Sequence, residues 1–496
     1  MGSIARIDDK GQKTRRFGMS EQKKIVSSMI WRFGERFLAQ IVTFIVSVVL
    51  ARLVAPEEFG NIALLMIFID IADAFVIHGF SSSLVQKKDA DNVDYSSVFY
   101  FSLVFSVLVY GLCFVCTPLV ARLYKNNALI PLFRVLALRI PISALNSVQH
   151  SYVQRNMLFR RFFFSTLGGT IGSAFFGIAL AYGGYGAWAI IGQYLGNTIC
   201  DSIVLWFTVR WRPEKKFSWH RLKRLIGFGW KMLGSQLIHI IYNRLSTLTI
   251  GTVYTSTDLA FYDQGHKIPG ILETNIDTTI NSVLFPAMSQ LQDDKERLKN
   301  MVRRSIKMCG VIIWPLMVGL AVLSSEVVDL VYGSVWLPCV VFMQIACIRL
   351  TLEPIQTANL QAIKALGRSD LYIKMEIIKK AYGIVALLIT MRISVMAIAI
   401  GSFSQMVFCM IVNAIPNRKL IDYKYTEQIM DVLPSLILSA AMGLMVLLVG
   451  KILPANVVFL FIKVIIGAAL YIAMTYVFRR DEFRYFMNMA KSLVKR

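Results

Sequence analysis

A group of polar and charged side chains lies inside an apolar stretch near the start of the chain. Glu35 and Arg36 lie three and four residues after Arg32, and Gln40 lies four residues after Arg36, the spacing that places side chains on one face of an α-helix. Charged side chains inside a membrane helix are costly, so they usually face a partner or a water-filled cavity. The stripe indicates either contact between helices, with Glu35 neutralising an arginine, or a cavity that binds an anion.

Similar polar faces occur in later apolar stretches. Cations dominate them, and the planar guanidinium group of arginine matches the geometry of phosphate. Arg244 lies off the polar face that its own stretch presents and is expected to pair elsewhere. These patterns predict an anionic substrate, with phosphate as the natural anion. The predicted substrate-binding residues are Arg32, Glu35, Arg36, Gln40, Arg139, His150, Lys231, His239, Arg349, Glu353, Lys379 and Lys380.

Carboxylates within the apolar stretches suggest a second role. Asp70 and Asp73 lie one helical turn apart, and buried carboxylates of this kind bind cations or relay protons in transporters. They can equally pair with the arginines of the first stretch. Asp277 and Glu376 are further candidates for ion coupling. Neither a metal centre nor a cofactor is predicted.

The elements that carry these residues are predicted to be membrane-spanning helices. The chain has 496 residues, is 56% hydrophobic and has a mean hydropathy of +0.58. Its apolar residues fall into fourteen runs of about 20 residues, enough to cross a hydrocarbon core. Pro141 and Pro354 should bend the fourth and tenth helices. The predicted spans are 29–54, 60–80, 96–120, 132–153, 163–182, 186–209, 225–251, 261–284, 306–323, 336–360, 371–391, 395–415, 430–449 and 456–478.

Charge between the spans predicts their orientation. The net charge is +23, concentrated in alternate connections, as the positive-inside rule requires of cytoplasmic segments. The densest basic segments are 1–28, 210–224 and 479–496. Both termini are therefore predicted in the cytoplasm of a multi-pass inner-membrane protein, without a nucleic-acid partner. The exceptions on the outer side are Arg122, Lys125, Arg392 and Lys451.

The order of the spans predicts two related lobes. Helices 1–6 (29–209) and helices 7–12 (225–417) flank the basic cytoplasmic linker 210–224, and helices 13–14 (430–478) follow. Phe33-Gly34 and Phe228-Gly229 open the two lobes, and each lobe then has a short acidic outer loop, 56–60 or 256–260. Transporters use such repeats to move lobes about a central site.

Sequence motifs for catalysis are lacking. No phosphate-binding G-x-x-x-x-G-K-[ST], H-E-x-x-H or G-x-S-x-G pattern occurs, which makes an enzyme the weaker hypothesis. Cys113 and Cys116 are spaced as a redox or zinc pair but have no histidine or acidic neighbour, so core packing is the better interpretation. Gly168, Gly169 and Gly172 are expected to permit close helix packing.

Several segments resemble the polysaccharide flippases of the Wzx/WzxC type, in the MOP exporter superfamily. The similar segments are 50–60, 79–88, 284–294, 367–371 and 376–380. The resemblance implies a two-lobed fold that moves an undecaprenyl-pyrophosphate-linked oligosaccharide across the inner membrane for O-antigen, capsule or exopolysaccharide synthesis, without catalysis. It also implies an ion gradient as energy source, and a cavity lined by basic residues of the first and seventh spans, which match Arg32, Arg36 and Lys231.

The resemblance also implies further partners, and two alternative functions remain open. Membrane lipids and polysaccharide polymerase or assembly proteins are the expected partners. A MATE-like small-molecule exporter is the first alternative, and it would favour an acidic, aromatic cavity. A membrane glycosyltransferase or polymerase is the second, and it would need an acidic outer cluster, for which Glu57 and Glu58 are the best candidates.

Overall fold

The computed structural model describes residues 34, 38–78, 81–87, 89–156, 158–454 and 456–479, and these contain helices but no β-strand. A π-helical turn, Ala74–His78, follows α2, and a 3-10 turn, Ser334–Cys339, precedes α13. The α-helices are α1 (Leu38–Leu53), α2 (Pro56–Asp73), α3 (Ser81–Gln86), α4 (Asn92–Leu123), α5 (Leu129–Leu136), α6 (Arg139–Arg155), α7 (Phe159–Tyr182), α8 (Ala187–Thr208), α9 (Trp219–Val253), α10 (Ser256–Ser289), α11 (Lys295–Val322), α12 (Ser324–Val331), α13 (Val340–Leu350), α14 (Glu353–Ala365), α15 (Ser369–Thr390), α16 (Val395–Leu420), α17 (Tyr425–Ile452) and α18 (Val457–Phe478).

The helices confirm the predicted all-α membrane fold. A helix or a broken helix lies at each of the fourteen predicted spans. Nine segments of the described chain are long and apolar enough to cross a bilayer by length and composition alone. Helices α8, α9, α10 and α15 are long but more polar, and the described part of α1 is short. In hydrocarbon only closed hydrogen-bonding patterns such as helices are stable, which explains why long apolar runs fold this way.

Two spans are broken, as their prolines predict. The fourth span divides into α5 and α6 at Ala137–Leu138, and Pro141 lies in the first turn of α6. The tenth divides into α13 and α14 at Thr351–Leu352, with Pro354 in the first turn of α14. Proline lacks a backbone donor and restricts the residue before it, so it is accommodated where a helix begins.

The prediction of two acidic outer loops is wrong, because the structure shows both segments as helical. Residues 56–60 and 256–260 form the first turns of α2 and α10, so the connections before them are only two residues long. At α10 the Thr255 hydroxyl accepts a hydrogen bond from the Asp258 amide at 3.1 Å, and the Asp258 carboxylate accepts one from the Thr255 amide at 3.2 Å. Acidic residues stabilise a helix N-terminus, so their polarity marks a helix start here.

Both halves of the chain repeat these features in the same order. A two-residue connection at 54–55 or 254–255 is followed by a long helix, and a broken helix comes later. The chain forms two compact units, Met1–Leu248 and Thr249–Arg496, which divide within α9. The lobe bounds drawn at the basic segment stay a prediction.

Close packing of α7 on α8 organises the first unit. A Cβ atom at Gly169 would lie 3.0 Å from the Asn197 carbonyl oxygen, and one at Gly172 would lie 2.9 Å from the Gly196 carbonyl oxygen. The helices can approach this closely only because these residues lack side chains, as predicted. The contact places the polar residues of α8 directly against α7.

The basic segment 210–224 is more ordered than a hydrophilic linker. Its second part begins α9, and Trp211 is buried between Tyr95 and Phe99 of α4. The Glu214 amide donates to the Ser96 hydroxyl at 2.8 Å. The segment therefore docks on the start of α4 within the first unit.

Candidate substrate and coupling sites

Asp70 of α2 forms an ion pair with Arg244 of α9. The arginine donates from Nε at 2.9 Å and from Nη2 at 2.6 Å, both to Oδ2 of the carboxylate. The two side chains are 26% and 37% exposed, respectively. A charge-assisted pair of this kind offsets the cost of placing each charge in a membrane helix. The expectation that Arg244 pairs away from its own polar face is confirmed.

Asp73, one turn further along α2, pairs with Arg139 at the start of α6. The distance from Arg139 Nη2 to Asp73 Oδ2 is 3.3 Å, and the guanidinium lies 5.7 Å from the ring centroid of Tyr194. Asp73 Oδ1 and Arg139 Nε are both buried and have no hydrogen-bond partner among the described residues. The π-helical turn begins directly after Asp73, and such turns often mark functional sites. This pair retains unused hydrogen-bonding capacity.

Pairing of the two aspartates with arginine therefore occurs, but with partners that the sequence did not indicate. Arg32, Glu35 and Arg36 lie outside the described residues, so their part in the site stays a prediction. The helical periodicity of one segment shows which residues share a face, but it does not show which helix packs there. The sequence predicts Arg139 as a substrate-binding residue but does not reveal its contact with Asp73.

A second polar cluster surrounds Asp201 of α8. Asn146 Nδ2 lies 2.8 Å and His150 Nε2 lies 3.0 Å from its Oδ2 atom, while Ser165 of α7 donates to Oδ1. His150 also lies against the Phe162 ring, with centroids 4.8 Å apart. The sequence pattern predicts a role for His150 but not for Asp201. The available signal was that Asp201 is the sole acidic residue of the sixth predicted span.

Arg349 occupies the corresponding break in the second unit. It lies at the end of α13, just before the interruption at Thr351–Leu352, and its Nε atom is buried without a hydrogen-bond partner. Within the described part of the chain, it forms no ion pair. Glu353, one turn later, accepts a hydrogen bond from Gln356 at 3.2 Å. Among the described residues, Arg349 thus presents a guanidinium group without a compensating carboxylate, within a predicted span.

The remaining basic candidates of the second unit lie on α15. Lys379 is 6% exposed, and its Nζ atom lies 2.5 Å from Oε1 of Glu376. Lys380 is half-buried on the neighbouring position. Glu376, a candidate for ion coupling, therefore pairs with Lys379, a candidate for substrate binding. Residues three apart on one helix commonly form ion pairs of this kind.

Other predicted residues are only partly placed. His239 of α9 is exposed, and its Nε2 atom lies 2.9 Å from Nδ2 of Asn243. Gln40 is half-buried on α1. The side chains of Lys231 and Asp277 lie outside the described residues. The structure therefore brings together Asp70 with Arg244, Asp73 with Arg139, His150 with Asp201, and Glu376 with Lys379.

Outside the spans, an ion pair fixes the basic segment. Arg221, at the start of α9, donates to Asp91, which also caps α4 by accepting a hydrogen bond from the Asp94 amide at 3.0 Å. The Arg221 hydrogen bond, followed by that of the Asp94 amide, lowers the pKa of Asp91 from 3.8 to about 2. The carboxylate form is thus the one that holds the segment in place.

Comparison with known proteins relates most of the chain to polysaccharide biosynthesis. Residues 49–341, more than half of the sequence, match the family described as "Polysaccharide biosynthesis protein". The chain is similar to the lipopolysaccharide biosynthesis protein WzxC of Escherichia coli K12. The two are 23% identical over 448 residues, which cover 86% of this chain and 89% of that relative.

Solved structures with a similar fold are membrane transporters. The lipid II flippase MurJ, in an inward closed conformation, has a TM-score of 0.74 at 15% identity and covers 91% of this chain and 99% of its own. An inward-facing multidrug transporter of the MATE family, in the MOP superfamily, has a TM-score of 0.61 at 16% identity. It covers 77% of this chain and 94% of its own. At these identities the likeness establishes the fold.

Proposed function

Because this chain belongs to the polysaccharide biosynthesis protein family, we propose that it is a flippase for a lipid-linked oligosaccharide. The substrate is a repeat unit carried on undecaprenyl pyrophosphate. It moves from the inner to the outer leaflet of the bacterial inner membrane, through alternating exposure of a bound headgroup to the two sides. Both termini lie in the cytoplasm. The name of WzxC and the fold of MurJ support this substrate class and this type of movement.

The arginines at the helix breaks carry this proposal. Arg139 lies just after the break in the fourth span and Arg349 lies just before the break in the tenth, and each has a buried Nε atom without a partner in the described chain. Broken helices commonly build the substrate sites of transporters. An uncompensated guanidinium group at such a break suits the phosphates of a lipid carrier, because its donors match phosphate oxygens in pairs.

The charge of the described polar clusters favours an anionic substrate over the alternatives. Asp70 and Asp73 are neutralised by arginine, and Asp201 is held by three donors. An exporter of cationic drugs needs available carboxylates, whereas the Arg349 guanidinium is a cation that has no ion-pair partner in the described part of the chain. Glu57 and Glu58, the acidic pair that a glycosyltransferase would use, lie in the first turn of α2, where they stabilise the helix N-terminus.

A deletion strain of the source bacterium tests the proposal. We expect loss of surface polysaccharide, accumulation of the lipid-linked repeat unit, and recovery when the parent gene is restored. Arg349→Gln should not restore export at normal membrane level, because it removes the charge that binds phosphate. Arg418→Gln, at an exposed position near the end of α16, is the matched control and should restore it. Normal polysaccharide together with new drug sensitivity would support the MATE-like alternative instead.

Ion coupling and assembly partners complete the proposal. A carboxylate that binds a cation in one state and pairs with an arginine in the other can reset the transporter. The candidates for this role remain those predicted from the sequence: Asp70, Asp73, Asp277 and Glu376. A polysaccharide polymerase is the expected neighbour that consumes the exported unit. Chemical crosslinking in the native membrane, followed by mass spectrometry, tests that association.

A further inference from the structure

The cluster around Asp201 differs from the other acidic sites of the first unit in the nature of its partners. Asp70 and Asp73 pair with arginines, which remain charged at every physiological pH. Asp201 instead contacts a serine, an asparagine and a histidine. Histidine is the side chain whose charge ordinarily changes between pH 5 and 8. The charge of this cluster can therefore change through its histidine, whereas the arginine partners of Asp70 and Asp73 stay charged.

No permanent cation compensates Asp201 within the part of the chain that the structure describes. Arg139 pairs with Asp73, and Arg155 donates to the Tyr95 hydroxyl at 3.3 Å. Arg134 lies 4.1 Å from the Phe114 ring centroid, and Arg160 lies 6.0 Å from that of Phe164. Arg161 lies one turn before Ser165 but forms no ion pair with Asp201. Other titratable groups on helices packed against the cluster include Glu57, Glu58, Asp70, Asp73, Asp94, Tyr95, Tyr152, Tyr194 and Cys200.

The cluster is enclosed but not sealed. The Asp201 side chain is 15% exposed and that of His150 is 28% exposed. Asn146 is buried and also donates to the Ser202 hydroxyl at 3.0 Å, which fixes the orientation of its amide group. The absence of a side chain at Gly169 lets the α7 backbone approach, since a Cβ atom there would lie 3.2 Å from the Asp201 Cβ atom. The carboxylate is thus held rigidly, while the imidazole remains partly accessible to a proton.

We propose that His150 and Asp201 form a proton-binding site that couples a proton gradient to the transport proposed above. The Nε2 proton stays in the hydrogen bond to Asp201 Oδ2, and Nδ1 takes up and releases the coupling proton. The protonated pair is neutral overall, and the deprotonated pair carries one negative charge that Ser165 and Asn146 stabilise. A charge change inside a membrane helix bundle has a large energetic effect, so it can shift the balance between transporter conformations.

A spectroscopic experiment tests the site without requiring transport. The full-length protein is labelled with 15N-histidine and reconstituted in nanodiscs, and the His150 ring signals are assigned by their loss in His150→Gln. We expect Nδ1 to change between its protonated and unprotonated forms from pH 5 to pH 8, and Asp201→Asn to change the midpoint. A His150 ring that keeps one form throughout this range overturns the proposal.

A transport experiment tests the coupling. Movement of a lipid-linked oligosaccharide is measured in proteoliposomes with and without an imposed pH gradient, and the ratio of the two rates is the readout. The parent and the exposed control Asp329→Asn should respond to the gradient, and His150→Gln and Asp201→Asn should give a ratio of one. Variants that respond like the parent, or a parent driven by Na⁺ instead, overturn the proposal. A parent that moves no lipid refutes the proposed function, and the ring signals then decide the proton site alone.

Discussion

Arg303 of α11 binds Asp431 of α17 through two parallel hydrogen bonds. Nε donates to Oδ2 at 2.7 Å and Nη2 donates to Oδ1 at 2.8 Å. The same carboxylate accepts a hydrogen bond from the Tyr423 hydroxyl at 2.8 Å and lies 3.3 Å from Lys307 Nζ. Asp431 is 4% exposed. This network ties the final helix pair to the rest of the second unit.

Replacement of Asp431 by asparagine should therefore destabilise the second unit. The change removes a carboxylate that three donors share, and hydrogen bonds to charged groups each contribute about 1.5–3 kcal/mol. Arg303→Lys should also destabilise the protein, because lysine cannot form the parallel pair. Thermal unfolding of the purified protein in detergent measures both effects. Asp329→Asn is the control, and an Asp431→Asn variant as stable as that control would show that the network is dispensable.

Substitution of Gly172 should separate α7 from α8. The new methyl group of Gly172→Ala would lie 2.9 Å from the Gly196 carbonyl oxygen, which forces the helices apart, at a cost of about 1–3 kcal/mol. Gly319→Ala is the matched control, since its nearest neighbour is the Met442 Cε atom at 3.8 Å. That variant should be neutral or more stable, because alanine favours the helix. Equal melting temperatures for the two variants would contradict the close contact.

Acid should release the basic segment 210–224 from α4. The folded-state pKa of Asp91 is about 2, below its usual 3.8, so its contribution is complete above about pH 4 and is lost as the pH falls through about 2. Hydrogen exchange of this segment, corrected for the intrinsic rate, should rise over that interval. Asp91→Asn should remove the pH dependence. A parent profile that stays flat from pH 5 to pH 2 would mean that Asp91 does not hold the segment.

The Asp70–Arg244 pair should behave as a coupled unit. Asp70→Asn and Arg244→Gln each leave one charge without its partner, which is more costly than removing both. The double variant should therefore lose less stability than the sum of the two single variants. Unfolding free energies of all four proteins form a double-mutant cycle. Strict additivity would indicate that the contact contributes nothing.

The main architecture follows from features that are local in the sequence. Each span is an apolar run of sufficient length, and Pro141 and Pro354 each follow a break by a few residues. Other prolines, such as Pro118 and Pro315, lie inside continuous helices, so a proline in a span does not by itself predict a break. The sequence predicts loops where the first turns of α2 and α10 lie, because the acidic residues that suit a loop also stabilise a helix N-terminus.

The partners within the candidate sites were less predictable. Periodicity placed Arg139 and His150 on one face of the fourth span, but the packing of α2 and α8 against that face determines that they meet Asp73 and Asp201. Arg244 shows the same limitation, because its position on α9 gives no indication of the helix that carries Asp70. Such contacts depend on tertiary packing between segments far apart in sequence.

Transbilayer movement in purified liposomes tests the proposed flippase function most directly. The protein is reconstituted with an undecaprenyl-pyrophosphate-linked oligosaccharide, and an externally added glycosidase measures the fraction of sugar that reaches the outer leaflet. We predict rapid exposure with the parent protein and with Arg418→Gln, and exposure at the protein-free rate with Arg349→Gln. If the folded and correctly inserted parent protein exposed the sugar no faster than protein-free liposomes do, the result would contradict the proposal.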